Sequence, residues 1–325
     1  MQTVQIALGL LIILLIFLDF FHTTLSGNGF GIFSRIINQL LNRLILQNRN
    51  RKIFTYSGIT HLLVTTFLWL AILFLGVFII YTADEQMVVN VTTGLPATKA
   101  ERFYFTGYVL STLGIGDFVP GNDTSRILTG ILSFTGFVLV TTGLTYLLSV
   151  LNAVLSKKQL SFFISTTGAD VEELFQYLKK QDDLYSLVSD ASSFRQQILQ
   201  NSSSYLAFPM SNYFLSRERK SALIVQLAAI YEVLMVVKLD WAPNTIQYEK
   251  ITSIIKAIEK YLELGLEEPE AGEYNPEELK TLRSYWKKYG YEFPENTYID
   301  KQFSSSLQYA GWHWEDVYRL KAFQK

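Results

Sequence analysis

The chain has 325 residues, 49% of them hydrophobic and 14% aromatic, with a formal net charge of −1. That apolar content exceeds what one soluble core needs and is concentrated in the first half, so the composition divides into a membrane portion and a water-exposed portion. The near-zero charge gives a nucleic acid no bulk attraction, and the absence of cysteine excludes disulfides and cysteine-ligated zinc or iron–sulfur sites.

Val4 to Phe21 is an eighteen-residue run in which only Gln5 and Asp19 are polar, just long enough to span a hydrocarbon core. It lacks the basic start and small-residue cleavage site of a signal peptide, so a retained helix is predicted. Asp19 then falls near headgroup level, with a role in an ion path as the alternative. From Phe33 the apolar residues Phe33, Ile36, Ile37, Leu40, Leu41, Leu44 and Ile45 make one helical stripe, opposite Arg35, Asn38, Gln39, Asn42 and Arg43. Such a helix suits the membrane surface, apolar side in the acyl boundary and arginines at the phosphates; docking on a protein domain is the alternative. Residues 22 to 58 hold five basic residues (Arg35, Arg43, Arg49, Arg51 and Lys52) and no acidic one. The positive-inside rule therefore places this loop in the cytoplasm and the amino terminus outside.

Ile59 to Thr82 is the clearest spanning segment, without a formal charge and about 36 Å long as a helix, with Tyr81 as an outer anchor. The polar stretch from Ala83 to Arg102 follows. Asn90-Val91-Thr92 there, and Asn122-Asp123-Thr124 farther on, are sequons that matter only in a eukaryotic secretory host. Residues 83 to 126 carry three basic and five acidic residues, in keeping with an outer location, and Asp117, Glu101 and Asp123 would favour cation entry. Phe103 to Ser111 is too short to cross and fits a re-entrant half-helix whose C-terminal end directs partial negative charge toward a dehydrating cation. Phe103, Tyr104 and Phe105 are expected to pack against neighbouring helices.

The next residues are Thr112-Leu113-Gly114-Ile115-Gly116-Asp117. An ion leaving water needs replacement oxygens, and backbone carbonyls from several copies of a loop can ring a narrow path. For successive carbonyls to point one way the backbone must alternate between conformations of opposite sign, and glycine reaches the positive-φ half at little cost. Gly114 and Gly116 have that spacing. Thr112 adds a hydroxyl at the cytosolic mouth, and Leu113 and Ile115 turn outward to wedge the loop against neighbouring helices.

The stretch from Phe103 to Gly121 resembles the pore loop of potassium channels, whose filter commonly reads TVGYGD. It is most like the second pore segment of two-pore-domain channels, where an aromatic FYF cluster, a serine-threonine pair, a glycine-x-glycine-aspartate and a trailing VPG also occur. The resemblance is strong over about twenty residues and implies potassium ions bound at Thr112, Leu113, Gly114, Ile115 and Gly116, with Asp117 at the filter mouth. Because the family builds its ring from four loops, it also implies a homotetramer. Leu113 stands for the usual valine and Ile115 for the usual tyrosine. The second change removes a hydroxyl that tethers the filter to surrounding aromatics, which leaves a weakly selective cation channel as an alternative.

Ile127 to Leu155 is a long apolar segment carrying Gly130, Ser133, Gly136, Thr141, Thr142, Gly143 and Thr145, small side chains that let helices approach and leave room for hydrated ions. Gly136 lies near where the resembled family bends its inner helix, so it is a candidate gating hinge or a packing contact. Lys157 and Lys158 close this segment. The remainder, with twenty basic and twenty-three acidic residues from 156 on, reads as helices over Asp170–Ser189, Ser216–Leu239, Thr245–Leu264, Pro276–Tyr289 and Ser304–Phe323. Asn275-Pro276-Glu277-Glu278 is a capped helix start. Ala222 to Val237 could be mistaken for a further span, but Glu232 interrupts it and a buried core helix is predicted. The acidic run Glu267, Glu268, Glu270, Glu273, Glu277, Glu278 lacks the ligand alternation of an EF-hand and reads as a solvated linker. Trp312-His313-Trp314 is expected in a core or interface. The tail contains neither a Gly-x-Gly-x-x-Gly nucleotide fingerprint nor a catalytic grouping.

The predicted fold is an all-α membrane protein with three transmembrane helices, a re-entrant pore helix and filter loop, and an all-α cytosolic C-terminal domain. Its divisions are residues 1–22, 23–58, 59–155 and 156–325. The predicted function is a potassium channel of the plasma membrane, not an enzyme, with the lipid bilayer as partner, the C-terminus cytoplasmic, no nucleic acid and an unknown cytosolic ligand. A membrane sensor or scaffold that does not conduct is the rival from another class.

Overall fold

The computed structural model describes residues 2–47, 52–168, 170–179, 191–265 and 274–318. Among these, three helices are long and apolar enough to cross a membrane: α1 (Gln2–Leu25), α3 (Phe54–Tyr81) and α5 (Asp123–Thr167). Helix α2 (Ile32–Leu46) joins the first two, and α4 (Lys99–Leu110) precedes the glycine-rich loop. The chain is an all-α membrane protein; its one small sheet among the described residues pairs β1 (Val89–Asn90) with β2 (Phe118–Val119). Two compact units result, one of Met1–Leu41 with Ile59–Val150, the other of Asn42–Gly58 with Leu151–Lys325.

In the first unit, α1 and α3 meet at two glycines. A Cβ on Gly9 would lie 2.7 Å from the Gly76 carbonyl oxygen, and one on Gly76 would lie 3.1 Å from that of Gly9, a small-residue crossing of the kind that lets membrane helices touch backbone to backbone. Asp19 is not a solvated acid. It is buried, and its carboxylate accepts from the Phe33 amide at 2.8 Å, the Ser34 amide at 3.3 Å, the Ser34 hydroxyl and the Trp69 indole at 3.0 Å. It thus caps the first turn of α2 from another helix, where the helix dipole favours an anion.

Helix α2 keeps its apolar stripe outward, with Ile32, Phe33, Ile36, Leu40 and Leu44 exposed. Its polar residues divide in a way the stripe did not predict. Arg35, Gln39 and Arg43 face out, whereas Ser34, Asn38 and Asn42 are buried, Asn38 donating to the Thr65 hydroxyl of α3 at 2.8 Å. Spacing of four puts those three small polar groups on one line. Of the loop's basic residues, Arg49 and Arg51 lie outside the described residues.

The second unit is built around α8 (Leu223–Val237), nearly every residue of which is buried. This is the buried core helix the sequence predicts, shortened by 3₁₀ turns at Arg219–Ser221 and Lys238–Asp240. Around it pack α6 (Val171–Lys179), α9 (Ile246–Gly265), α11 (Thr297–Tyr309) and α12 (Trp314–Tyr318), and α7 (Ala191–Ala207), which periodicity did not reveal, lies along α9. Helix α10 (Pro276–Arg283) begins as predicted, the Asn275 side chain accepting from the Glu277 and Glu278 amides. Trp312 and Trp314 are core residues. The predicted helix from Ser304 is interrupted at Gly311, whose φ is +71°. Residues 180–190, 319–325 and the acids Glu267, Glu268, Glu270 and Glu273 lie outside the described residues.

Glu232, the charge that interrupts the apolar run, has no exposed surface. Arg283 binds it at 2.7 Å and Asp300 at 2.6 Å, and the Tyr318 hydroxyl also donates to it. Helix α5 does not end at Lys157-Lys158 but runs on to Thr167, because Leu160 and Ile164 enter the core of this unit.

Candidate functional site: the loop after α4

The loop takes its form from the helix that feeds it. Thr98 starts α4 with a capping box: its side chain accepts from the Glu101 amide, and the Glu101 carboxylate accepts from the Thr98 amide at 2.7 Å and hydroxyl at 2.9 Å. Those bonds hold the Glu101 carboxyl below its ordinary range. Arg102, buried one residue later, donates to the carbonyls of Ala97, Tyr81 and Asp84, each at 2.8 Å, and of Glu85 at 3.1 Å. Helix α4 is therefore longer than the nine residues predicted, and its outer end is pinned to the segment that follows α3.

At the other end the Thr112 amide bonds the Val109 carbonyl and the Leu113 amide bonds the Tyr108 carbonyl. With Thr112 at φ +58° this is a Schellman cap. The position usually belongs to glycine; a β-branched residue there is strained. Gly114 follows at φ +58° and Gly116 at φ +88°, so positive φ recurs at every second residue from 112 to 116. The glycines were legible from spacing. Thr112 as the first member of the series was not, since nothing in its side chain favours a left-handed backbone.

Thr112, Leu113, Gly114, Ile115, Gly116 and Asp117 are all exposed in the single chain, Leu113 at 66% and Ile115 at 52%. Both side chains turn outward, as expected, and within one chain no helix covers them, so a wedge against neighbouring helices would need another subunit. Among the described residues, nothing accepts a hydrogen bond from the amides of Gly114, Ile115 or Gly116.

Beyond the loop the backbone is fastened again. Val91 donates to the Asp117 carbonyl at 3.0 Å, Asn90 pairs with Phe118 and Val89 with Val119. The Tyr108 hydroxyl donates to the Phe118 carbonyl. This bond ties the chain just after the loop to α4, one turn before Thr112. Of the aromatic trio, Phe103 meets Phe74 and Phe78 of α3, and Phe105 meets Tyr81. Tyr104 instead packs on Tyr108 and Phe118 and sits beside Asp117. Of the acids expected to favour cation entry, Glu101 is committed to its cap and Asp123 pairs with Arg126 at 3.4 Å at the start of α5. Asp117 alone borders the loop.

Helix α5 meets the end of α4. A Cβ on Gly136 would lie 2.3 Å from the carbonyl oxygen of Leu110, the last residue of α4. Gly136 is therefore a point of backbone contact, and the helix runs through it unbroken.

Residues 67–153 match a family model described as Ion channel. This window takes in most of α3, α4, the loop and the greater part of α5, and it supports an ion channel. The chain is also similar to a Bacillus subtilis (strain 168) protein named Uncharacterized membrane protein YdjJ, with 26% identity over 255 residues, 76% of this chain and 75% of the other. No solved structure matches the chain.

Proposed function

We propose that the chain forms a homotetrameric, potassium-selective channel in which the carbonyl oxygens of residues 112 to 116 replace the hydration shell of K+. The observation that carries this reading is the alternation of positive φ at Thr112, Gly114 and Gly116, in a loop where the amides of Gly114, Ile115 and Gly116 have no partner among the described residues. Alternation of that kind turns successive carbonyls toward one side, and non-helical backbone at membrane depth is tolerated where it lines a water-filled path. Four copies around one axis would bring those oxygens together. In this reading the channel lies in the plasma membrane with the amino terminus outside and the C-terminal helical unit in the cytoplasm, gating through α5, with Gly136 the candidate hinge.

Reversal potentials in bilayers with potassium on one side and sodium on the other test selectivity. A reversal near the potassium equilibrium potential is expected, and one near zero rejects it in favour of the second reading, a weakly selective cation channel. That second reading draws on Ile115, which offers no hydroxyl to hold the filter's width. Gly114→Ala is expected to abolish current, because the added Cβ disfavours the φ of +58°. A protein that is monomeric or dimeric in detergent and passes no current would point to the sensor or scaffold.

A further inference from the structure

The segment from Pro209 to Ala222 holds several parts of the second unit together. Phe214 packs on Gly58 so closely that a Cβ there would fall 2.2 Å from its ring. The Ser161 hydroxyl of α5 donates to the Lys220 carbonyl at 2.8 Å. Lys157, one turn earlier on α5, donates to the Ser211 carbonyl at 3.3 Å and the Asn212 side-chain oxygen at 3.4 Å, with its ammonium 5.7 Å from the centre of the Tyr205 ring. The first residues of α3 and the extension of α5 are thus gripped by one short stretch of chain.

Beside Lys157 the same stretch lines a partly open cavity of about 70 Å³, its wall largely apolar but holding Lys157, the exposed Lys158 and the polar groups of Ser211, Asn212 and Ser216, with no aspartate or glutamate among its described lining residues. That exceeds the roughly 10–15 Å³ one water needs. The ammonium has three donors. Two of them reach only neutral acceptors, at distances long for an N–H···O bond. A part-buried cation is stabilised poorly by two such contacts and a ring face, and well by a counter-charge.

We infer that this cavity binds a small inorganic monovalent anion, held by the Lys157 ammonium and the neighbouring hydroxyls, and that its occupancy sets how firmly residues 209–222 hold α3 and α5. The consequence for gating rests on the channel reading above; the binding itself does not. Lysine charge without a carboxylate among the described lining residues selects an anion, and the small volume selects one of few atoms.

The test uses the full chain in nanodiscs of zwitterionic, net-neutral phosphatidylcholine, titrated from sodium gluconate to sodium chloride at constant ionic strength. The thermal midpoint of the wild type is expected to rise with the logarithm of chloride, as mass action requires. The rise is expected to vanish in Lys157→Met, which keeps the length of the side chain without the charge. A flat wild-type midpoint, or an undiminished rise in Lys157→Met, overturns the proposal. Should that variant not fold, chloride-35 line broadening on the wild type decides: broadening reversed by nitrate and weakened in Lys157→Arg supports the site, and its absence refutes it. If the midpoint responds to added phosphatidylglycerol and not to chloride, the ligand is a lipid headgroup and the inference fails. Loss of potassium selectivity would leave the chloride response intact, so the two readings fail separately.

Discussion

Gly136→Ala sets a packing contact against a helix preference. Alanine in place of glycine in a helix interior is worth about 1 kcal/mol by propensity, and at Gly143, where a Cβ would stand 4.0 Å from the Phe20 ring, nothing opposes that gain. At Gly136 the same methyl would lie 2.3 Å from the Leu110 carbonyl oxygen and 3.0 Å from its carbon. Backbone cannot rotate away as a side chain can, so α4 and α5 must separate. Overpacking of this kind costs about 1–3 kcal/mol, and the net for Gly136→Ala is a loss of roughly 0–2 kcal/mol per subunit. Because Leu110 is only two residues before the strained Thr112, the separation is expected to reach residues 112–116 and, if the proposed potassium channel is right, to lower the potassium-to-sodium permeability ratio. Thermal midpoints of Gly136→Ala and Gly143→Ala in the same detergent, together with reversal potentials, measure both effects. A hinge alone would change opening probability and leave stability and selectivity untouched. Equal midpoints for the two variants with wild-type selectivity would refute the packing argument.

Thr112→Gly is expected to relieve roughly 1–2 kcal/mol of left-handed strain and raise the thermal midpoint, while loss of the hydroxyl alters conduction; Thr112→Ser, which keeps the hydroxyl, separates the two in single-channel recordings. Tyr108→Phe removes the bond to the Phe118 carbonyl, a loss of about 1 kcal/mol, and is expected to hasten loss of current at low external potassium. In the second unit, burial pushes the Glu232 carboxyl above its ordinary range against the pull of Arg283. Arg283→Met leaves Glu232 and Asp300 as two buried acids and is expected to destabilise the unit by about 3–5 kcal/mol near neutral pH. A raised folded pKa means that stability is fully present below the unfolded value, about 4.3 for glutamate, and is lost as pH rises through the folded value. The variant should therefore approach the wild type near pH 5 and fall away toward pH 8 in thermal melts; a pH-independent deficit would show that the acids are not the cause.

The spans and the glycine alternation were legible because both are local: eighteen apolar residues or two glycines two apart have few alternative structures. Helix bounds missed where tertiary contacts extend a pattern. Leu160 and Ile164 carry α5 past two lysines because a core receives them, and lysine is a good helix former that does not by itself end a helix. The polar line of Ser34, Asn38 and Asn42 was grouped with the arginines, since a stripe divides residues by polarity and cannot separate small amides that bond to another helix from charges that seek water. Asp19, Arg102 and Tyr108 were invisible for a related reason. Most of their partners are backbone amides or carbonyls, among them Phe33 for Asp19, Tyr81 for Arg102 and Phe118 for Tyr108, and backbone groups leave no mark in a sequence.

The exposed side chains of the loop and the exposed backbone of the loop carry different weight. Leu113 and Ile115 facing outward, like Phe134, Phe137 and Val140 along α5, would be at ease against lipid, where apolar exposure costs nothing. The amides of Gly114, Ile115 and Gly116 would not, because each polar group left unpaired in hydrocarbon costs several kcal/mol. Water or a neighbouring subunit has to meet them. Lipid on the apolar side and water on the polar side of one five-residue loop is possible only at a boundary between the two, and a single copy has no wall to keep them apart. Several copies closing around the loop supply that wall, and this physical requirement, more than the resemblance of its letters, makes an assembled pore the reading to test first.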